Sequence, residues 1–263
     1  MILITGGYGF IGSHVARALL DAGQRCMIAT HSRSVVPEIL AQDLGANLLT
    51  RSLDTTDAAQ WRELAAHQEF TGIVHLAGAA IDVSPLDQVR SNVAGLFNML
   101  DATSGWNLDR IVMASSIGIY AGAEPTVAYR EDAPLPMTGL HGIQASKKIL
   151  EIVADLANRD RDVTIASVRL PAVWGPGGRP DSRFFALPRL VHAAVRGDEA
   201  RAVGADAIDL CYVKDCAQAI ASVLMANQLD HTVYNVGSGR ATSNAEVADA
   251  IGRVIPGARI TLD

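Results

Sequence analysis

Short apolar runs alternate with amphipathic stretches along most of the 263 residues. Met1–Ile4, Cys26–Ala29, Leu48–Thr50, Gly72–Leu76, Arg110–Ala114 and Thr164–Leu170 have few polar breaks, as strands buried on both faces do. Between them, Gly12–Ala22, Val36–Leu44, Ala58–Gln68, Pro85–Thr103 and Gln144–Ala157 repeat their apolar residues at helical spacing. This alternation predicts an α/β fold built on a doubly wound parallel sheet, with ligand chemistry at the C-terminal strand ends. After Leu170 the pattern changes. Pro171, Gly175, Pro176, Gly177, Gly178 and Pro180 make a turn-rich segment. A helix over Phe184–Val195, a strand over Asp209–Val213, a helix over Asp215–Ala226 and a strand over Val233–Val236 follow. Ser243 with Glu246 three residues on reads as a capping box for a helix reaching Val254. The expected division is a first domain over residues 1–170 and a small lobe over 171–263 interwoven with it.

The most specific local signal is at the start. The strand Met1–Ile4 runs into Thr5-Gly6-Gly7-Tyr8-Gly9-Phe10-Ile11-Gly12, and a helix follows. Gly6 allows a positive φ in a tight turn, Gly9 leaves room for a phosphate against the backbone, and Gly12 lets the helix pack close to the sheet. The helix N-terminus then offers unpaired N–H groups to an anion. The spacing G-x-x-G-x-x-G departs from the general G-x-G-x-x-G fingerprint, and the strand–turn–helix context gives it weight. A glycine-rich turn with no ligand is the plain alternative. With the glycines read as a pyrophosphate cradle, residues 1–170 become a dinucleotide-binding domain.

Bulk composition narrows the setting. Hydrophobic residues make up 49% of the chain, enough for a large core, yet no apolar run approaches the ~18 residues of a membrane span. The N-terminus has no basic region ahead of its apolar run, so it does not read as a signal peptide. A net charge of −6 without a basic cluster argues against nucleic acid as a partner. Cys26, Cys211 and Cys216 show no metal spacing or evident pairing, and the seven histidines form no ligand cluster. A reduced, cytoplasmic protein with a small-molecule substrate and no metal is the expectation.

Several further segments resemble the extended short-chain dehydrogenase/reductase family, the NAD(P)-dependent epimerase/dehydratase-like group with a Rossmann sheet. Asp54, within Ser52-Leu53-Asp54-Thr55-Thr56-Asp57, resembles the family's adenine contact, and His75-Leu76-Ala77-Gly78-Ala79 its loop beneath the cofactor. Asn92-Val93-x-Gly95 resembles the Asn-containing helix motif. Ala114-Ser115-Ser116 with Tyr120 resembles the segment of the catalytic Ser/Thr. Arg169-Leu170-Pro171 to Pro176, Tyr212-Val213-Lys214-Asp215 and Tyr234-Asn235-Val236-Gly237-Ser238-Gly239 resemble later signatures. The resemblance implies cofactor contacts at Gly6, Tyr8, Gly9, Phe10, Ile11, Gly12, Leu53, Asp54, Leu76, Ala77, Gly78, Asn92, Lys147 and Pro171. It implies catalytic roles for Ser116, which binds the reacting oxygen, and Lys147, which holds the nicotinamide ribose. It also implies a homodimer through the helices Pro85–Thr103 and Gln144–Ala157.

The departures fall at the chemistry. Ala145-Ser146-Lys147 with Glu151 makes Lys147 the lysine of the family's Tyr-x-x-x-Lys, which leaves Ile143 at the tyrosine position. His141-Gly142, two residues upstream, resembles a displaced Tyr-Gly, so His141 is the leading substitute proton donor, with Tyr129 a second candidate. At the end of the second strand, Thr30 replaces the acid of NAD-specific members and Arg33 is near, which favours NADP over NAD. The family's Arg-Asp before Tyr-Val-x-Asp becomes Ile208-Asp209, which weakens a nucleotide-sugar reading. Two functions stay open: an NAD(P)-dependent oxidoreductase or epimerase lacking the family tyrosine, or a cofactor-binding protein without redox turnover.

Overall fold

The computed structural model describes residues 1–65, 69–79, 82–124 and 128–263. The chain divides into two compact units, residues 1–170 with 217–235, and residues 171–216 with 236–263. A single cut at residue 170 therefore does not follow the compact units, because residues 217–235 return to the first.

The first unit is built on β1 (Ile2–Thr5), β2 (Cys26–Thr30), β3 (Leu48–Ser52), β4 (Gly72–His75), β5 (Arg110–Ser116), β6 (Thr164–Leu170) and a late strand, Val233–Asn235. They form one sheet, with the late strand beside β6 and the order continuing β5, β4, β1, β2, β3. Every pairing is parallel. The order reverses between β1 and β4, and the crevice at that switch opens at the strands' C-terminal ends. The crossovers are α1 (Phe10–Asp21), α2 (Ala58–Ala65), α3 (Pro85–Ala102) and α4 (Gly142–Asp160). Leu3, Met27, Ile73, Ile111 and Ile165 from successive strands pack with Trp61, Leu96, Met99 and Leu150 of the helices, all nearly or fully buried. These strands read as unbroken apolar runs because both faces are covered.

In the second unit, β7 (Ala172–Trp174) pairs parallel with a strand over Ala207–Tyr212, which pairs antiparallel with Ala241–Ser243. A separate parallel pair joins Glu199–Ala202 to Arg259–Leu262. The helices Leu187–Arg196 and Asn244–Val254 pack on these strands, and the capping box at Ser243 and Glu246 is present.

Some expected elements shift. Residues 36–44 form only a 3₁₀ turn over Glu38–Asp43, with Leu40 N–H bonded to Pro37 O at 2.9 Å. Pro37 at one end and Gly45 at φ +82° at the other leave too few residues for a stable α-helix. The helix expected over Ala58–Gln68 is present to Ala65; residues 66–68 lie outside the described residues. Helix α4 begins at Gly142 rather than Gln144 and continues to Asp160. No helix among the described residues is long and apolar enough to cross a membrane.

Candidate functional site

At the switch point a cavity of about 500 Å³ opens beside the glycine turn. The turn's geometry accounts for its glycines. Gly6 sits at φ +69°, where L-residues are strained, and a Cβ there would come 2.9 Å from Ala77 N. A Cβ on Gly12 would lie 2.3 Å from the Gly6 carbonyl oxygen, so this glycine is what lets α1 press against the turn. Gly9 is the N-cap of α1, has no side chain to cap it, and the first turn carries no acidic residue. The orphan N–H groups of that turn are left for an external anion. This donor set, with a carboxylate at the far end of the cavity, fits a dinucleotide.

Gly6, Tyr8, Gly9, Arg33, Leu53, Asp54, Leu76, Ala77, Gly78 and Asn92 all line the cavity, as the sequence led one to expect. Phe10, Ile11, Gly12 and Lys147 are not among its lining residues, and Pro171 opens the second unit. Thr30, His31, Ser32, Thr55, Thr56, His75 and Gly95, from the end of β2 and from the segments that carry the family resemblance, line it too, and Ser91 of α3 joins them without a signal of its own in the sequence.

Each wall has its own brace. Thr30 Oγ1 donates to the Arg33 carbonyl at 2.8 Å, folding residues 30–33 into a hook, and Arg33 Nη1 donates to the Tyr8 carbonyl at 3.2 Å. The guanidinium is thereby held against the glycine turn. Asp54 Oδ1 accepts from the Thr56 backbone N–H and hydroxyl, which hold its carboxyl below the usual carboxylate range. The Ala77 N–H donates to Thr5 Oγ1 at 3.2 Å, and Thr5 Oγ1 lies 2.9 Å from His75 Nδ1. Burial, with a smaller contribution from Lys147, pushes His75 down to about 4, so the ring is neutral at physiological pH. Asn92 Oδ1 accepts from Ala79 N–H at 2.8 Å and its Nδ2 donates to Ser146 Oγ at 3.0 Å, tying the loop after β4 to α4.

The catalytic candidates lie at the end of β5 and the start of α4. Ser116 Oγ accepts from Gly118 N–H at 3.0 Å and caps the 3₁₀ turn Ile117–Tyr120. Lys147 Nζ donates to the Ala114 carbonyl at 2.6 Å, two residues before Ser116 on β5. Burial pushes the lysine down to about 8. His141 is half-buried at the N-cap of α4, where Nδ1 accepts from Gln144 N–H at 3.4 Å. Its position thus has a structural reason of its own. Tyr129 stacks on Tyr120, with ring centroids 4.7 Å apart and planes 9° apart, so its ring is engaged in packing.

Beneath this region Arg169 and Glu151 form a buried ion pair at 2.7 Å, 4% and 8% exposed. Ser115 donates to Glu151, and Arg169 also donates to the Tyr120 hydroxyl and the Glu131 carbonyl.

The second unit holds a separate cavity of about 500 Å³ lined by Phe184, Phe185, Arg189, Arg201, Asp206 and Ile208, among others. Among the described residues neither arginine makes an ion pair.

Residues 2–237 match the family model described as NAD dependent epimerase/dehydratase family. The chain is 27% identical to a UDP-glucose 4-epimerase of Bacillus subtilis (strain 168), over 96% of this chain and 81% of that protein. It is 26% identical to a UDP-glucuronate 4-epimerase of Thermodesulfobacterium geofontis (strain OPF15), over 90% of this chain and 75% of that one. Among solved structures, a UDP-glucose 4-epimerase of Thermus thermophilus in complex with NAD superposes with a TM-score of 0.82 at 24% identity. That match covers 100% of this chain and 90% of the other, and at this identity it speaks for the fold.

Proposed function

The chain belongs to the NAD dependent epimerase/dehydratase family, and from that premise we propose that it is an NAD(P)-dependent epimerase or oxidoreductase acting on a sugar, ketone or alcohol. A nucleotide-linked sugar is the favoured substrate. The observation that carries the reading is the convergence of the glycine turn, Arg33, Asp54, the loop Leu76–Gly78 and Asn92 on one cavity. Gly6, Gly9 and Gly12, with Tyr8, Phe10 and Ile11, would hold the pyrophosphate. Leu53 and Asp54 would hold the adenosine end. Leu76, Ala77, Gly78, Asn92, Lys147 and Pro171 would hold the nicotinamide end. The bound nicotinamide supplies reversible hydride acceptance. Ser116 would hold the substrate oxygen, with His141 the sequence's candidate for the proton in place of the tyrosine absent at Ile143. Assay of nicotinamide reduction over nucleotide sugars and simple alcohols and ketones tests the reading. Tight cofactor binding with no turnover on the whole panel would favour the second reading, a non-redox cofactor-binding protein, which Ile143 supports.

For the cofactor, the hook 30–33 supports a preference for NADP. A charge-assisted bond from Arg33 to a 2′-phosphate is worth about 1.5–3 kcal/mol, or roughly 10- to 100-fold in affinity. Arg33→Ala is expected to weaken NADP binding by that factor while NAD binding stays within about twofold, as read by calorimetry. Equal losses for both cofactors would contradict the preference.

A homodimer through α3 and α4 is the proposed assembly. Of the apolar residues expected on this face, Leu96 and Leu100 are buried within the unit, whereas Leu86, Phe97, Ile149 and Ile152 are exposed. Leu156 on α4 adds to them at 65% exposure. Such a patch is the kind a partner covers. Light scattering at micromolar protein should give twice the chain mass, and Ile152→Glu with Leu156→Glu should give the single mass. A wild-type monomer would remove the dimer.

A further inference from the structure

Resting on the functional reading above, we infer that Lys147, and not His141, takes up and returns the proton when the substrate's hydroxyl and carbonyl forms interconvert. In the resemblance this lysine holds the nicotinamide ribose and lowers the pKa of the family's tyrosine. Its surroundings suit more. Ile143 and Lys147 stand one turn apart on α4, and the Ile143 position offers no hydroxyl to carry the proton. An ammonium has three protons to donate, and the Ala114 carbonyl takes one. Among the described residues Lys147 makes no ion pair.

The groups around it explain why. Glu151, one turn further along α4, gives both carboxylate oxygens to Arg169 of β6 and also accepts from Ser115 of β5. Its charge is neutralised before it reaches the lysine, and it opposes the lysine's depression only in part. The 3₁₀ turn Ile117–Tyr120 contributes the Tyr120 hydroxyl, already held by Arg169 and 2.9 Å from Asn235 Oδ1. β4 contributes His75, buried and neutral. The amine therefore sits part-buried at the C-terminal end of β5, without an ion-pair partner among the described residues. A lysine so placed sheds its proton well below the usual range, here at about 8, close to where a general base and its conjugate acid work best. His141, by contrast, is fixed at a helix N-cap through the very nitrogen a second proton would need.

The step balances. In oxidation the substrate O–H bond breaks and its proton goes to the Nζ lone pair, turning amine into ammonium. The electron pair of the adjacent C–H bond leaves as hydride, for which oxidised nicotinamide is the acceptor. In the return step the ammonium gives the proton back to oxygen as the hydride comes back.

The sequence has only three lysines, Lys147, Lys148 and Lys214, so the side-chain nitrogens can be followed singly. In the cofactor-free protein, ¹⁵N-lysine NMR should show one resonance titrating near 8 that is absent from Lys147→Arg. A wild-type spectrum with no lysine resonance titrating there would overturn the inference. Lys147→Arg keeps a cation for the cofactor but cannot cycle a proton. It should bind NADP within a few-fold and lose roughly 10²- to 10⁴-fold in turnover. Turnover retained in Lys147→Arg overturns this inference alone. A wild type that transfers no hydride overturns the functional reading with it.

Discussion

Glu151→Leu is expected to lower folding stability by about 3–5 kcal/mol. The wild-type carboxylate accepts from Arg169 Nε at 3.0 Å and Nη2 at 2.7 Å, and the Ser115 hydroxyl donates to it as well. Arg169 is 4% exposed, so after the substitution its charge stays buried with only the Tyr120 hydroxyl and the Glu131 carbonyl as partners. Removing one member of a buried pair is costly for this reason, whereas removing both together often is not. At this chain length each kcal/mol moves the melting temperature by about 2–4 °C, so a fall of roughly 6–20 °C should appear in calorimetry. The double variant Glu151→Leu, Arg169→Leu should recover part of it. A single variant that melts with the wild type would show that solvent reaches the pair and compensates the arginine.

Gly9→Val is expected to fold and to lose at least about 100-fold in cofactor affinity, from two charge-assisted phosphate bonds worth about 1.5–3 kcal/mol each. Gly9 sits at φ −73° and ψ 172°, an extended conformation that valine accepts without strain. The new Cβ would meet the Gly6 carbonyl oxygen at 2.9 Å, so the backbone of the turn must shift locally to admit it. What it removes is the open approach to the N–H groups of α1. Gly12 makes the contrast. A Cβ there meets Gly6 O at 2.3 Å and Gly7 Cα at 2.8 Å, so Gly12→Ala acts on the fold first. Calorimetric titration of Gly9→Val with NADP and NAD, beside its circular dichroism, reads the two effects apart. A folded Gly9→Val protein with undiminished affinity would mean that phosphate does not approach this turn.

The sheet of the first unit was legible because its strands are covered on both faces. Ile2–Thr5 and Cys26–Thr30 are apolar up to a terminal threonine, and burial on both sides demands that. In the second unit the strand Ala207–Tyr212 was legible as Asp209–Val213, but the shorter ones were not. Arg259–Leu262 is largely exposed and Glu199–Ala202 alternates over four residues, too little for a period to register. The cofactor cavity was legible through its glycines, since only they satisfy a positive φ and such close backbone contacts. Ser91, on α3, was not, because nothing local ties it to the turn. The link between Glu151 and Arg169 was hidden as well. Glu151 served to set the helix register, and nothing local says that an arginine on the next strand consumes its charge. The place of His141 was hidden too: read from the sequence as a candidate proton donor, it stands at the N-cap of α4.

The most direct test of the account is a single-turnover experiment on the wild-type protein loaded with oxidised NADP or NAD. The loaded protein is mixed with nucleotide-linked sugars and simple alcohols, and the bound nicotinamide is followed by absorbance while the sugar is followed by NMR. The account predicts that the nicotinamide is reduced on mixing with at least one substrate, together with formation of the keto sugar or inversion of the carbinol centre. A protein that binds the cofactor tightly yet never reduces it, with every substrate recovered unchanged, would contradict the account.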